Sequence, residues 1–110
     1  MFEVTDVRGY KAICSDEIGY GKICAKRSWM NDEEWLNRTK RAITNPDIGI
    51  FTDADYSDRE VYYLFVKGVR IRYLKVVVRF NERRVGHVVT ATPANSGKPG
   101  ERQIWSAQSN

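Results

Sequence analysis

The stretch Asn-Asp-Glu-Glu-Trp-Leu-Asn-Arg-Thr-Lys-Arg-Ala-Ile-Thr-Asn-Pro-Asp-Ile-Gly-Ile-Phe, Asn31 to Phe51, contains the change of period that decides the fold. Its first part predicts a helix over Asp32–Thr44. Asn31 can cap it, and Glu34 three residues on completes a capping box. Asp32, Glu33 and Glu34 lie at the positive end of the helix dipole, with Arg38, Lys40 and Arg41 towards the negative end. Trp35, Leu36, Thr39, Ala42 and Ile43 fall on one apolar stripe at helical spacing. Pro46 stops the helix, because proline biases Asn45 out of the helical region.

Beyond Pro46 the pattern reads as strands. Ile48–Phe51 is short. Glu60–Val66 is rich in aromatic and β-branched residues, and Lys67-Gly68 reads as a tight turn after it. Val69–Phe80 is long enough for one strand, but its apolar residues change phase. Val69, Ile71 and Tyr73 are odd-numbered, whereas Leu74, Val76, Val78 and Phe80 are even-numbered. A β-bulge near Tyr73-Leu74 is expected to absorb the slip, which would gather Arg70, Arg72, Lys75 and Arg79 on one face. Asn81–Gly86 reads as a polar turn, His87–Thr92 as a strand and Gln103–Ser106 as a last short strand. Upstream, the first thirty residues suggest short strands broken by glycine, with a bend at Gly19-Tyr20-Gly21. The expected architecture is one α+β domain spanning residues 1–110. One main helix packs on a curved antiparallel sheet of four or five strands.

With 110 residues, the chain fits a single domain that can bury a core without metal or disulfide staples. Its 18 Lys+Arg against 14 Asp+Glu give +4, a mild lean towards an anionic partner. One histidine and two cysteines exclude a His-rich metal site, a four-cysteine zinc ribbon and a disulfide framework, so no metal or other cofactor is expected. No basic patch followed by an apolar stretch marks the start, and Val61–Val66 is the longest uncharged apolar run. A cytoplasmic location without membrane contact is therefore expected. Cys14 and Cys24, beside Ile13 and Ile23, read as reduced, buried small hydrophobes, with a disulfide between them left open.

The acidic loop Asp53–Glu60 invites a calcium reading and fails it. An EF-hand needs glycine at position six and a carboxylate at position twelve, and those positions hold Asp58 and Leu64. A solvated loop is expected instead. His87, the single imidazole, is a candidate general acid or base. Simple alternation sends it away from Thr90 and Thr92 unless the turn at Gly86 redirects it. The basic stripe, with Tyr62, Tyr63 and Tyr73 nearby, fits a phosphate backbone with bases stacked on rings. It fits equally a plain solvated face whose Lys and Arg stems cover apolar area. Trp35 is expected in the core; Trp29 and Trp105 could be core or platform.

The order of segments resembles a family pattern. Val4-Thr5-Asp6-Val7-Arg8-Gly9 opens it, and Asn45-Pro46-Asp47-Ile48 closes the helix. Tyr62-Tyr63 precedes Leu74-Lys75-Val76-Val77-Val78, and Val88-Val89-Thr90-Ala91-Thr92-Pro93 follows. This is similar to the phage-associated nuclease-like domains grouped with barnase, EndoU, colicin ribonucleases and RelE, the BECR fold. The resemblance implies a metal-independent ribonuclease of toxin or phage-effector type. In such enzymes the ribose 2′-hydroxyl attacks its own phosphodiester, which requires a base, an acid and cations for the transition state.

Carried over residue by residue, the resemblance places Thr90 on a phosphate oxygen and the family's strand cations among Arg70, Arg72, Lys75 and Arg79. The family's upstream histidine pair is replaced here by Lys22-Ile23 and Arg27, which departs from the pattern and removes the simplest acid–base assignment. The expected catalytic set is therefore Lys22, Arg27, Arg72, His87 and Thr90. Arg70, Tyr73, Lys75, Arg79 and Thr92 are expected to bind RNA, and an immunity or antitoxin protein is the implied partner. A non-catalytic RNA-binding domain, and a basic protein-interaction module such as an inhibitor or accessory phage protein, are the competing readings.

Overall fold

The computed structural model describes residues 1–24, 32–67 and 72–107; the side chains of Lys22, Ile23, Cys24 and Asp32 lie outside this description. Strands β1 (Phe2–Thr5) and β2 (Lys11–Cys14) form a hairpin. A short helix α1 (Asp16–Ile18) and a π-helical segment (Gly19–Cys24) follow. Helix α2 spans Asp32–Thr44, the bounds expected from its stripe. Five more strands complete the chain: β3 (Gly49–Thr52), β4 (Arg59–Phe65), β5 (Tyr73–Phe80), β6 (Gly86–Ala94) and β7 (Gln103–Trp105).

All seven strands join one sheet in the order β1-β2-β6-β5-β4-β3-β7. The α+β class is as expected, but α2 is joined by a second, short helix, and the sheet is larger than four or five strands and mixed. Strand β2 runs parallel to β6, and every other pairing is antiparallel. A parallel pair needs a long crossover, and here the helices and the β3–β4–β5 meander supply it. The first and last strands have only three or four residues each. Their apolar alternation is too short to register as a period.

One face of the sheet is sealed by α2, which packs against β1, β4 and β5. Trp35, Ala42 and Ile43 from the helix meet Tyr62, Leu64, Leu74, Val76 and Val78, and all are buried. Burying each Val-, Leu- or Ile-sized side chain contributes roughly 1.5–3 kcal/mol, which outweighs the weak propensity of the individual short strands. Thr39 enters this stripe without penalty because its hydroxyl donates to the Trp35 carbonyl at 2.7 Å. Cys14 is buried in the same core as expected, while its relation to Cys24 falls outside the described side chains. Trp105 on β7 packs against the core edge, and Trp29 lies outside the described residues.

A buried polar cluster ties the first hairpin to β4. The Asp6 carboxylate, with its side chain fully buried, accepts from the Tyr62 hydroxyl at 2.7 Å and from Arg8 at 2.8 Å. Arg8 also donates to Glu60 at 2.7 Å, and Arg84 donates to the other Glu60 oxygen at 3.1 Å. Burial opposes the ionisation of Asp6, but the hydrogen bonds from Tyr62, Arg8 and the Tyr10 N–H prevail and hold its carboxyl below the usual carboxylate value. Burial, reinforced by the bond to Asp6, pushes the Tyr62 hydroxyl well above its usual range. Tyr62 is therefore a core residue on the helix side, not one of the stacking rings expected beside the basic stripe.

The expected bulge near Tyr73-Leu74 is also corrected. Strands β4 and β5 pair without a break from Arg59↔Arg79 to Phe65↔Tyr73. The register shifts instead between Val77 and Val78 against β6, where Val77 faces Thr90 and Val78 faces Val88. Val89 is the extra residue.

Candidate functional site

The sheet face away from α2 is the candidate site, and cross-strand pairing arranges its side chains in rows. Odd-numbered residues of β4 and β5 point to this face, since Leu74, Val76, Val78, Tyr62 and Leu64 enter the helix-side core. Arg59 pairs with Arg79, and Arg79 pairs with His87, which pairs with Ile13 on β2. The next rows are Val61–Val77–Thr90, Tyr63–Lys75–Thr92 and Phe65–Tyr73–Ala94.

The bulge at Val89 changes the reading of His87. With one residue added between His87 and Thr90, both side chains join the same face as Thr92. Strict alternation had opposed them. His87, Arg79 and Arg59 border a hollow of about 340 Å³ with Ile13, Ser15 and Val89.

Electrostatically this hollow is cationic. The side chains of Arg59, Arg79 and His87 have no ion pair among the described residues. The Arg59 guanidinium lies 4.0 Å over the Tyr56 ring, and its buried Nε has no hydrogen-bond partner among the described residues. Asp53, next to Arg59 through its backbone, turns its carboxylate into its own loop and accepts N–H bonds from Asp55 and Tyr56 at 2.9 Å. On the far side, Ile13 separates His87 from Glu3, which pairs with Lys11.

At the other end of the face the side chains are aromatic. Phe51, Tyr63, Tyr73 and Phe65 form a chain of edge-to-face contacts with centroids 5.4, 6.1 and 6.2 Å apart. A second hollow, of about 330 Å³, opens over Phe51, Tyr63 and Tyr73 and is walled by the 95–101 segment. Glu101 fastens that wall. Its carboxylate accepts the Tyr63 hydroxyl at 2.7 Å and the Lys98 N–H at 3.1 Å, and it lies 2.9 Å from the Lys75 ammonium as an ion pair. Burial, with the bond to Glu101, pushes the Tyr63 hydroxyl well above its usual range.

The expected site residues divide accordingly. Arg79, His87, Thr90, Lys75, Tyr73 and Thr92 share the face away from α2, where Arg79 and His87 are exposed and a second buried cluster of Val61, Tyr63 and Val77 lies between the rows. Arg72 precedes β5 and lines the aromatic hollow, apart from the His87 hollow. Lys75 is paired with Glu101 at 2.9 Å. Arg27 and Arg70 lie outside the described residues, as does the side chain of Lys22. Sequence reading missed Arg59, Phe51 and Glu101. Arg59 belongs to the odd-numbered alternation Arg59, Val61, Tyr63, Phe65 and opens β4 one residue before the expected start at Glu60. Glu101 carried no signal, because its partners are 26 and 38 positions away, as its pairs with Lys75 and Tyr63 show.

The Asp53–Glu60 loop is a turn stabilised by its own carboxylates, and among the described residues no His/Cys/Asp/Glu cluster could hold a metal ion. Among the same residues no helix is long and apolar enough to cross a membrane. Compared with known proteins, the chain matches no family model, no curated protein and no solved structure.

Proposed function

We propose that the chain is an RNA-binding domain that holds a phosphodiester backbone on the sheet face away from α2, at its exposed Arg79–His87 end. The observation that carries this reading is the row Arg59–Arg79–His87. Like charges directly opposite one another on a sheet are destabilising unless an anion joins them. Here two guanidiniums and an imidazole converge on one hollow, with no carboxylate pairing them among the described residues. Arginine presents a planar fork suited to phosphate oxygens. Aromatic rings at the other end of the same face add the sequence-tolerant stacking that single-stranded RNA needs.

A second reading, cleavage, is favoured by one specific observation: His87 stands directly across from Arg79. In a transesterification the ribose 2′-oxygen would bond to phosphorus as its proton leaves. The 5′-oxygen would depart with a proton, leaving a 2′,3′-cyclic phosphate. His87 is the group placed to move a proton, and Arg59 and Arg79 are placed to stabilise the charged phosphoryl oxygens.

Labelled single-stranded RNA incubated with the protein and a chelator tests both. Binding that weakens steeply with salt, and weakens further in Arg79→Ala, supports the RNA-binding reading. Chelator-resistant cleavage lost in His87→Ala supports the second. Salt-insensitive binding or none removes both and favours a protein-interaction module.

A further inference from the structure

We propose that the hollow over Phe51, Tyr63 and Tyr73 is a nucleobase pocket, taking one unstacked base of a single strand whose phosphates run to the arginine row. The proposal rests on the open face being an RNA surface, and it adds a site that reads rings rather than charge.

Several features point to a planar, uncharged ring. The cavity of about 330 Å³ sits at the small end of the range for preformed ligand pockets. Its floor is Ile48, Phe51, Tyr63 and Tyr73; Tyr63 is buried, so the half-buried Tyr73 and Phe51 offer the ring surface, and Tyr63 stands edge-on to Tyr73 at 76°. Arg72 and Lys98 stand at its border, where they complement the phosphates flanking an inserted base. Lys98 is already bonded to Asp55, which leaves Arg72 as the border cation without an ion pair among the described residues.

The pocket is held open by bonds that do not need a ligand. Glu101 has a side chain only 4% exposed, and it bonds Tyr63 and Lys98 and pairs with Lys75. This fixes the Tyr63 ring and the 95–101 wall before a base arrives, which reduces the ordering cost of binding. Both hollows border β5, with Lys75 and the buried Val77 between them on the same face. Arg79 lies six positions beyond Tyr73, a span of about 20 Å at strand rise.

The test compares a labelled oligouridylate with an abasic ribose-phosphate chain of the same length, each titrated against the full chain by fluorescence anisotropy. Base–aromatic stacking of ~1–3 kcal/mol predicts roughly 5- to 150-fold tighter binding of the oligouridylate. Tyr73→Leu should bring its affinity down to that of the abasic chain. Phe51→Leu provides a second variant should Tyr73→Leu fail to fold, judged by circular dichroism, and it should narrow the gap in the same direction. Equal affinity of the wild-type chain for both oligomers overturns the pocket and leaves the RNA-binding reading standing. A gap that survives in both folded variants also overturns it. Absence of binding to either oligomer overturns the pocket and the RNA-binding reading together.

Discussion

Arg59 on β4 and Arg79 on β5 are directly opposed across the sheet, both on the open face, with His87 next in line on β6. The arrangement costs the fold stability, since an opposite or neutral partner in place of one arginine would favour the pair by roughly 0.2–1 kcal/mol.

Replacing Arg79 should not weaken the fold. Arg79→Thr is expected to leave unfolding free energy unchanged or to raise it by up to about 1 kcal/mol at low salt, with the gain shrinking as salt screens the charges. Urea unfolding at two ionic strengths measures this. A loss above that size would show the row to be structural.

RNA affinity should respond in the opposite sense. Arg79→Ala is expected to reduce the slope of log affinity against log salt by about 1, the signature of one lost phosphate contact. A salt titration of anisotropy reads the slope. An unchanged slope would place the backbone elsewhere.

The Asp6–Tyr62 bond predicts an acid-sensitive fold. Because the Asp6 carboxyl is held below its ordinary value of 3.8, its contribution is fully present above that pH and is lost as pH falls through the lowered value. The stability difference between the wild-type chain and Asp6→Asn should therefore shrink below about pH 4. Tyr62→Phe, which removes a hydroxyl bonded to a buried carboxylate, should cost about 1.5–3 kcal/mol at neutral pH. Chemical unfolding across the pH range checks both.

Gly86 leaves no room for a side chain. A Cβ there would lie 2.5 Å from Val78 Cγ1, 2.9 Å from Phe80 Cε1 and 3.3 Å from the Lys11 carbonyl oxygen. Gly86→Ala should destabilise by about 1–3 kcal/mol through overpacking, and it should loosen the β2–β6 pairing that begins at this residue. Thermal unfolding with amide exchange at Ile13 measures both effects.

Glu101 should matter for stability as well as for the pocket. Glu101→Ala strands the partly buried Lys75 ammonium and the Tyr63 hydroxyl, at an expected cost of about 1–3 kcal/mol. Glu101→Gln keeps an acceptor for Tyr63 and should cost less. Parallel denaturant curves compare them.

Helix α2 was readable because its apolar stripe and the stop at Pro46 are local signals; Asn31, the expected cap, lies outside the described residues. The strands Arg59–Phe65 and Gly86–Ala94 were readable to within two residues by composition. The candidate site was only half readable. Arg79, His87, Tyr73 and the two threonines were singled out, but their grouping was not. The even-numbered run Leu74–Phe80 correctly assigned one face of β5, whereas the phase slip was misplaced at Tyr73, and Arg70 and Ile71 lie outside the described residues.

By itself the sequence determined an α+β chain with one amphipathic helix, a single imidazole and a surplus of cations. Those properties depend on residue type and on spacing within one element. Only the tertiary structure decided that β2 lies parallel to β6, that Val89 is the inserted residue and that His87 consequently joins the arginine face. A bulge is placed by which side chains pack across neighbouring strands. Glu101 likewise found Tyr63 and Lys75 only when the chain returned to form the far edge of the sheet. Such pairings are set by three-dimensional packing, which a linear period does not encode.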